Sequence, residues 1–217
     1  MRALGTGDFV FLVLAMRWTI LLSLSAFIGG GLIGLGIALL RVSGSRAARW
    51  AAIVYIQVFQ GTPLLLQLFL VFFGSDMLGL GLGPWISATL GLSLNAGAFL
   101  GEIWRGSIQS VPKSQSEAAM ALGLHYLPRM RHIVLPQALR IATAPTVGFL
   151  VNLVKSTSLA AVIGFVELTR AGQVLNNVTF RPFTVFMSVA VLYFLLCWPL
   201  TIASRRLERR MAQATKR

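Results

Sequence analysis

Charge is scarce in this chain, and acidic charge is scarcest. Asp and Glu together number 6 in 217 residues, and charged residues of all kinds make up 12%. An ordinary soluble domain carries about twice that share. The apolar share is 56%, more than one core of this size can hide, because a folded domain of such length still exposes much of its surface. Lipid is the solvent that accepts the remainder. Cysteine is almost missing: the single Cys197 excludes an intrachain disulfide and any cysteine-based metal cluster. It lies in an apolar run and reads as an inert packing residue. No Gly-x-x-x-x-Gly-Lys-[Ser/Thr] phosphate loop is present, and no glycine is followed by lysine. The usual ATP cradle is therefore absent, and any ATP energy has to come from another subunit. No Gly-x-Ser-x-Gly elbow nominates a hydrolase nucleophile. His125 and His132 do not have a zinc spacing, and no suitable carboxylate accompanies them. The chain is expected to carry no metal or cofactor of its own and not to be an enzyme. No repeat or long linker divides it, so 1–217 reads as one domain. Its start reads as mature sequence: the apolar stretch from Phe9 is too long for a signal peptide, and Asp8 stands where positive charge belongs.

What is present is a series of long apolar runs. A membrane-crossing helix needs about 20 such residues, and five runs qualify: about 18–40, 50–74, 80–104, 141–166 and 183–203. Barrel strands would alternate in polarity, and these runs do not. The fold class expected is an all-α integral membrane protein with five transmembrane helices. Gln60-Gly61-Thr62-Pro63 falls near the middle of the second run. Proline removes a donor and clashes with the preceding turn, so the helix should kink or open there. Gly30 and Gly34, and again Gly97 and Gly101, form GxxxG pairs that suit close helix packing.

The formal net charge of +13 does not point to nucleic acid, because the basic residues sit in gaps between apolar runs. Arg41, Arg46 and Arg49 fill one gap. Arg105, Lys113, Arg129, Arg131 and Arg140 fall in the loop at about 105–140, and Arg205, Arg206, Arg209, Arg210, Lys216 and Arg217 in the tail. With five spans these three segments share one side. The other side has Arg2, Arg170 and Arg181. Short loops rich in Lys and Arg stay in the cytoplasm, which places the N-terminus outside and the C-terminus inside.

The 105–140 loop carries the most information. Ser114-Gln115-Ser116-Glu117 reads as a capping box, opening a short helix from about Gln115 to Leu122. Gly123 suits the left-handed residue that closes it. Pro128 is expected to open a second short helix and Pro136 to break it. Ala118, Ala119 and Ala121 give the first helix little bulk, so its backbone can lie close in a groove. Leu122 adds an apolar contact, and Lys113, Arg129 and Arg131 can meet acidic rims.

Glu117-Ala118-Ala119, three residues, Gly123, nine residues, then Ile133-Val134-Leu135-Pro136 resembles the EAA motif of ABC importer membrane subunits. The segments 61–74, 94–115, 135–140 and 155–168 are similar to the polar amino-acid uptake branch, the histidine, glutamine and arginine type. The resemblance covers roughly Trp18 to Ala203. It departs at Gln60, where many members have arginine. It implies a type I importer permease in the bacterial cytoplasmic membrane, with the short helix (Glu117, Ala118, Ala119, Leu122, Gly123) coupling to an ATPase. It further implies a second permease subunit, identical or homologous, two ATP-binding-cassette subunits that bind ATP and Mg, and an extracytoplasmic amino-acid-binding protein.

Two other classes fit the sequence less well. An ion-gradient-driven secondary transporter usually shows internal repeats and more intramembrane ionisable groups. A non-transporting scaffold has little use for polar residues at midplane depth, which are costly. Depth also nominates a substrate site. Thr62, Asn95 and Ser158 lie near the midpoints of three runs, and Pro63 breaks one of them. Lys155 can meet a substrate carboxylate, pair with Glu102 or snorkel. Glu102 and Arg105 read as an i,i+3 pair. Glu167 joins the nominated residues by resemblance, since members that carry cationic side chains use an acidic residue in this region. Its position three residues before Arg170 equally suits a surface carboxylate.

Overall fold

Apolar residues begin at Phe9, and helix formation follows them outward past the expected start at residue 18. In the computed structural model, which describes residues 5–215, helix α1 (Thr6–Val42) runs for 37 residues. At 1.5 Å per residue that is roughly 55 Å, far longer than the ~30 Å hydrocarbon core. Asp8 fixes its start by accepting the Gly5 N–H at 2.9 Å. Arg2, Lys216 and Arg217, used above for orientation, lie outside the described residues.

Helix α4 (Pro84–Gln109) starts on a proline whose missing N–H costs nothing in the first turn. It is the axis of the bundle: 56% of its apolar stretch is buried, against 17% for the last long helix, α9 (Pro182–Thr215). Helix α1 lies along it. The seam between them is made of the two GxxxG pairs. A methyl group on Gly30 would stand 2.5 Å from Ala96 Cβ, one on Gly34 2.9 Å from Leu100 Cβ, and one on Gly97 2.5 Å from Ile33 Cγ2. Each of these is closer than carbon atoms approach, so the glycines set the helix separation.

The second apolar run is two helices, α2 (Arg46–Gly61) and α3 (Leu64–Met77), bent by 102° at Thr62-Pro63. Pro63 supplies the break the sequence predicts. Counting this bent pair as one span gives five candidate spans among the described residues.

Beyond α4 the chain forms α5 (Lys113–Ala121), α6 (Tyr126–Arg129), a π-helical turn over Met130–Val134, and α7 (Leu135–Ser156), which runs on into a 3₁₀ segment, Thr157–Ile163. Two expectations are corrected here. The capping box does not form. Pro112 starts α5 earlier than expected, with no side-chain cap, so Ser114 sits inside the first turn and cannot act as the cap. Nor does Pro136 break a helix. The chain stays helical from Tyr126 to Ile163. The widened π turn, in which Leu135 N–H reaches Met130 O, makes room for the proline ring and its missing donor.

The segment before the last span, expected as a loop, holds a helix, α8 (Leu168–Thr179). Its apolar face, Leu168, Ala171 and Leu175, packs with Leu12 and Ala15 of α1 and with Val185 and Val189 of α9.

Candidate functional site

A broken helix leaves carbonyl groups without intrahelical partners, and within a membrane these need donors. At the α2–α3 bend the donors are two amide side chains. Gln67 Nε2 donates to Phe59 O at 2.8 Å, to Thr62 O at 3.0 Å and to Thr62 Oγ1 at 2.9 Å. Asn95 of α4 donates through Nδ2 to Phe59 O and to Gln67 Oε1, both at 3.1 Å. The Thr62 hydroxyl itself donates to Val58 O at 2.7 Å. Two further bonds tie α2 to α4: Tyr55 O–H to Leu94 O at 2.7 Å, and Gln60 Nε2 to Ala98 O at 3.3 Å.

Beside this clamp lies a cavity of about 300 Å³ between the bend, α4 and α7. Gln60, Thr62, Asn95, Asn152 and Ser156 supply its polar atoms, and Phe59, Phe99, Phe149 and Leu153 its apolar wall. Phe99 and Phe149 stack at 5.6 Å between centroids. A pocket with a few fixed polar groups on an apolar wall suits a small polar solute with an apolar portion.

On the base of the bundle, α5 stands out from the rest. Glu117, Ala118 and Leu122 are exposed. Ala119 is buried, 1% exposed, and faces the bundle. Gly123 adopts φ +78°. Its N–H bonds Met120 O at 2.9 Å and the Leu124 N–H bonds Ala119 O at 3.0 Å, a Schellman stop of the kind Gly123 was expected to make.

A family model described as the inner membrane component of binding-protein-dependent transport systems matches residues 30–213. The chain belongs to this family. The probable amino-acid ABC transporter permease protein YckA of Bacillus subtilis is 36% identical over 209 residues, 96% of this chain and 92% of that protein. The glutamine transport system permease protein GlnP of Escherichia coli is 36% identical over 202 residues, 92% of each chain. A crystal structure of an amino acid ABC transporter with histidines has 30% identity and a TM-score of 0.89, covering 96% of this chain and all of that one. The MetNI methionine ABC transporter, in an inward-facing conformation, shares the fold at 20% identity and a TM-score of 0.82, over 95% of this chain and 99% of its own.

In this permease the four nominated substrate residues do not all meet. Thr62 and Asn95 come together at the cavity, linked through Gln67. Ser158 does not line it; its hydroxyl turns back to Lys155 O at 2.7 Å. Ser156 lines it instead, because Phe149, Asn152 and Ser156 recur at i, i+3 and i+7 on one face of α7. Glu167 lies apart from the cavity and is fully buried, which overturns its reading as a surface carboxylate. It caps α8, accepting the Arg170 N–H at 2.9 Å and the Tyr193 hydroxyl at 2.6 Å. The Arg170 guanidinium turns away to Gln173. Lys155 is exposed, and among the described residues no ion pair joins it to Glu102. Glu102 instead pairs with Arg105, the expected i,i+3 partner, and stands 3.9 Å from Arg41.

Gln67, Asn152 and Ser156 were missed by the sequence reading. A lone amide in the run Leu64–Phe73 was a legible signal for Gln67, since an uncompensated amide at that depth is costly. The helical period from Phe149 was the signal for the other two.

Proposed function

We propose that this permease subunit carries a polar amino acid across the bacterial cytoplasmic membrane. It does so in pairs, beside an identical or homologous partner, with two ATPase subunits and an extracytoplasmic binding protein. The observation that carries the reading is the cavity at the α2–α3 bend, where amide and hydroxyl groups line one side and aromatic rings the other. Asn95, Asn152, Ser156 and Thr62 are the groups we assign to the ammonium and carboxylate ends of the solute. Lys155, exposed one residue before Ser156, supplies positive potential along the path. The high similarity to amino-acid permeases supports the cargo class.

Coupling runs through α5. Glu117, Ala118, Leu122 and the exposed Met120 form the face offered to the ATPase, Ala119 anchors the helix to the permease, and Gly123 ends it. ATP and Mg are bound by the partner. Closure of the ATPase pair displaces α5 and opens the path outward, an alternating-access scheme. The basic segments set the orientation, with the N-terminus outside and α5 in the cytoplasm.

The test is reconstitution of the complex in vesicles with its ATPase and binding protein, and measurement of ATP hydrolysis across a panel of polar amino acids. Stimulation by at least one of them, with uptake that survives collapse of ion gradients, is the expected result. Uptake that follows a proton or sodium gradient without ATP would overturn the reading.

A further inference from the structure

A second cleft of about 600 Å³ lies at the C-terminal end of α1, between the turn joining α1 to α2 and the α6–π segment. Its apolar lining is Leu39, Val42, Met130 and Leu135, with the exposed Leu127 at the mouth, and Arg49 lines it too. The Arg129 guanidinium lies 5.7 Å from the ring centroid of Tyr126, another lining residue. Arg46 is on the same helix as Arg49, one turn earlier. No carboxylate lines the cleft, and among the described residues none pairs with Arg46, Arg49 or Arg129. Glu102, the carboxylate that meets the end of α1, is occupied by Arg105 and Arg41. One arginine thus lines an apolar recess, Arg129 stacks on a lining tyrosine, Arg46 lies a turn before Arg49 on α2, and no carboxylate in the lining balances them. The recess sits where the apolar run of α1 gives way to Ser43-Gly44-Ser45. Trp50, 68% exposed, marks the same level, since tryptophan favours the membrane–water boundary.

We propose that this cleft holds an anionic phospholipid: the phosphate meets Arg49 and Arg129, with Arg46 adding charge, and the first acyl carbons lie on Leu39, Val42 and Leu127. Charge and depth both select this occupant. A basic recess between helices at the bilayer boundary matches a headgroup carrying a net negative charge. The apolar floor would be left facing water by a free inorganic phosphate. The assignment to the cytoplasmic leaflet rests on the proposed orientation. The binding itself rests neither on that orientation nor on the amino-acid cargo.

The assembled complex, stripped of lipid in mild detergent, is titrated with phosphatidylglycerol or phosphatidylcholine in mixed micelles, and bound lipid is counted by native mass spectrometry. Wild type should retain phosphatidylglycerol in preference to phosphatidylcholine. The R49Q/R129Q variant should bind it about 30-fold more weakly, at the usual contribution of two arginines near a lipid surface. The R205Q/R206Q variant, which loses equal charge from the exposed tail, should bind as wild type does. Leu127→Trp fills the mouth of the cleft without changing charge and should also lower retention, which keeps the test open if the double variant fails to assemble. Equal retention by wild type and the cleft variants overturns the proposal, as does an equal loss in R205Q/R206Q. If the cleft variants shed the ATPase while keeping phosphatidylglycerol, the surface is a protein contact and the proposal is wrong.

Discussion

Replacing Gln67 by methionine keeps the volume of the side chain and removes its amide. Packing is then nearly conserved, and the change isolates the hydrogen bonds. Gln67 is 6% exposed, so water has little access to replace what is lost. Phe59 O keeps Asn95 as a donor. Thr62 O loses its side-chain donor, and Asn95 Nδ2 loses the Gln67 carbonyl. Thr62 O and one of the two Asn95 N–H bonds are left without a partner at roughly 1–3 kcal/mol each, which destabilises the bend by about 2–4 kcal/mol, because Thr62 is exposed enough for partial rescue. For a chain of this size that is on the order of 5–10 °C in apparent melting temperature. Gln67→Glu should be at least as harmful, since it turns a donor into an acceptor facing three acceptors. The assay is thermal denaturation of the assembled complex, followed by substrate-stimulated ATP hydrolysis at graded solute concentration. The half-maximal concentration should rise, because Thr62 and Asn95 are no longer held. If Gln67→Met melts with wild type and responds to solute at the same concentration, the amide clamp does not hold the bend.

Three other outcomes are expected. Ser156→Ala and Asn152→Ala should raise the half-maximal solute concentration while Ser158→Ala leaves it unchanged; an effect confined to Ser158 would move the site. Gly34→Ala places a methyl 3.0 Å from Gly101 N and 3.2 Å from Gly97 O, backbone atoms that cannot swing aside, at about 1–3 kcal/mol. Gly36, with nothing near an added methyl, should take alanine without loss, and equal melting of the two variants would refute the seam. Gly123→Val, at a left-handed position, should cost roughly 1–3 kcal/mol locally and reduce solute-stimulated ATP hydrolysis while membrane insertion is unchanged; wild-type stimulation would dismiss α5 as the coupling element.

The membrane class, the break at Pro63 and the glycine stop at Gly123 were legible because each rests on local chemistry: apolar length, a missing donor, a permissive backbone. The meeting of Thr62 and Asn95 at one cavity was also legible, by depth alone. Ser158 was not distinguished from Ser156 because depth carries no information about rotation, and a shift of two residues turns a side chain to the far side of a helix. The helix start at Ser114 and the break at Pro136 were misjudged for a related reason. Whether a proline starts, bends or ends a helix depends on whether the neighbouring turn can widen or begin earlier, and tertiary packing decides that. The cluster of Val111, Val134 and Ala138 holds the π turn against the base of the bundle. Helix α8 was hidden because it is short and its apolar stripe is completed only by α1 and α9.

The helical run from Tyr126 to Ile163 makes the permease a machine with few loose joints between its two ends. Met130 packs in the cluster beneath α5, while Asn152 and Ser156, further along the same run, line the cavity. Between Met130 and Asn152 the backbone rises roughly 30 Å without passing through a loop. A displacement at the lower end therefore arrives at the cavity wall as a tilt or a rotation of a rod, with the π turn and the interior Pro145 as the compliant points along the way.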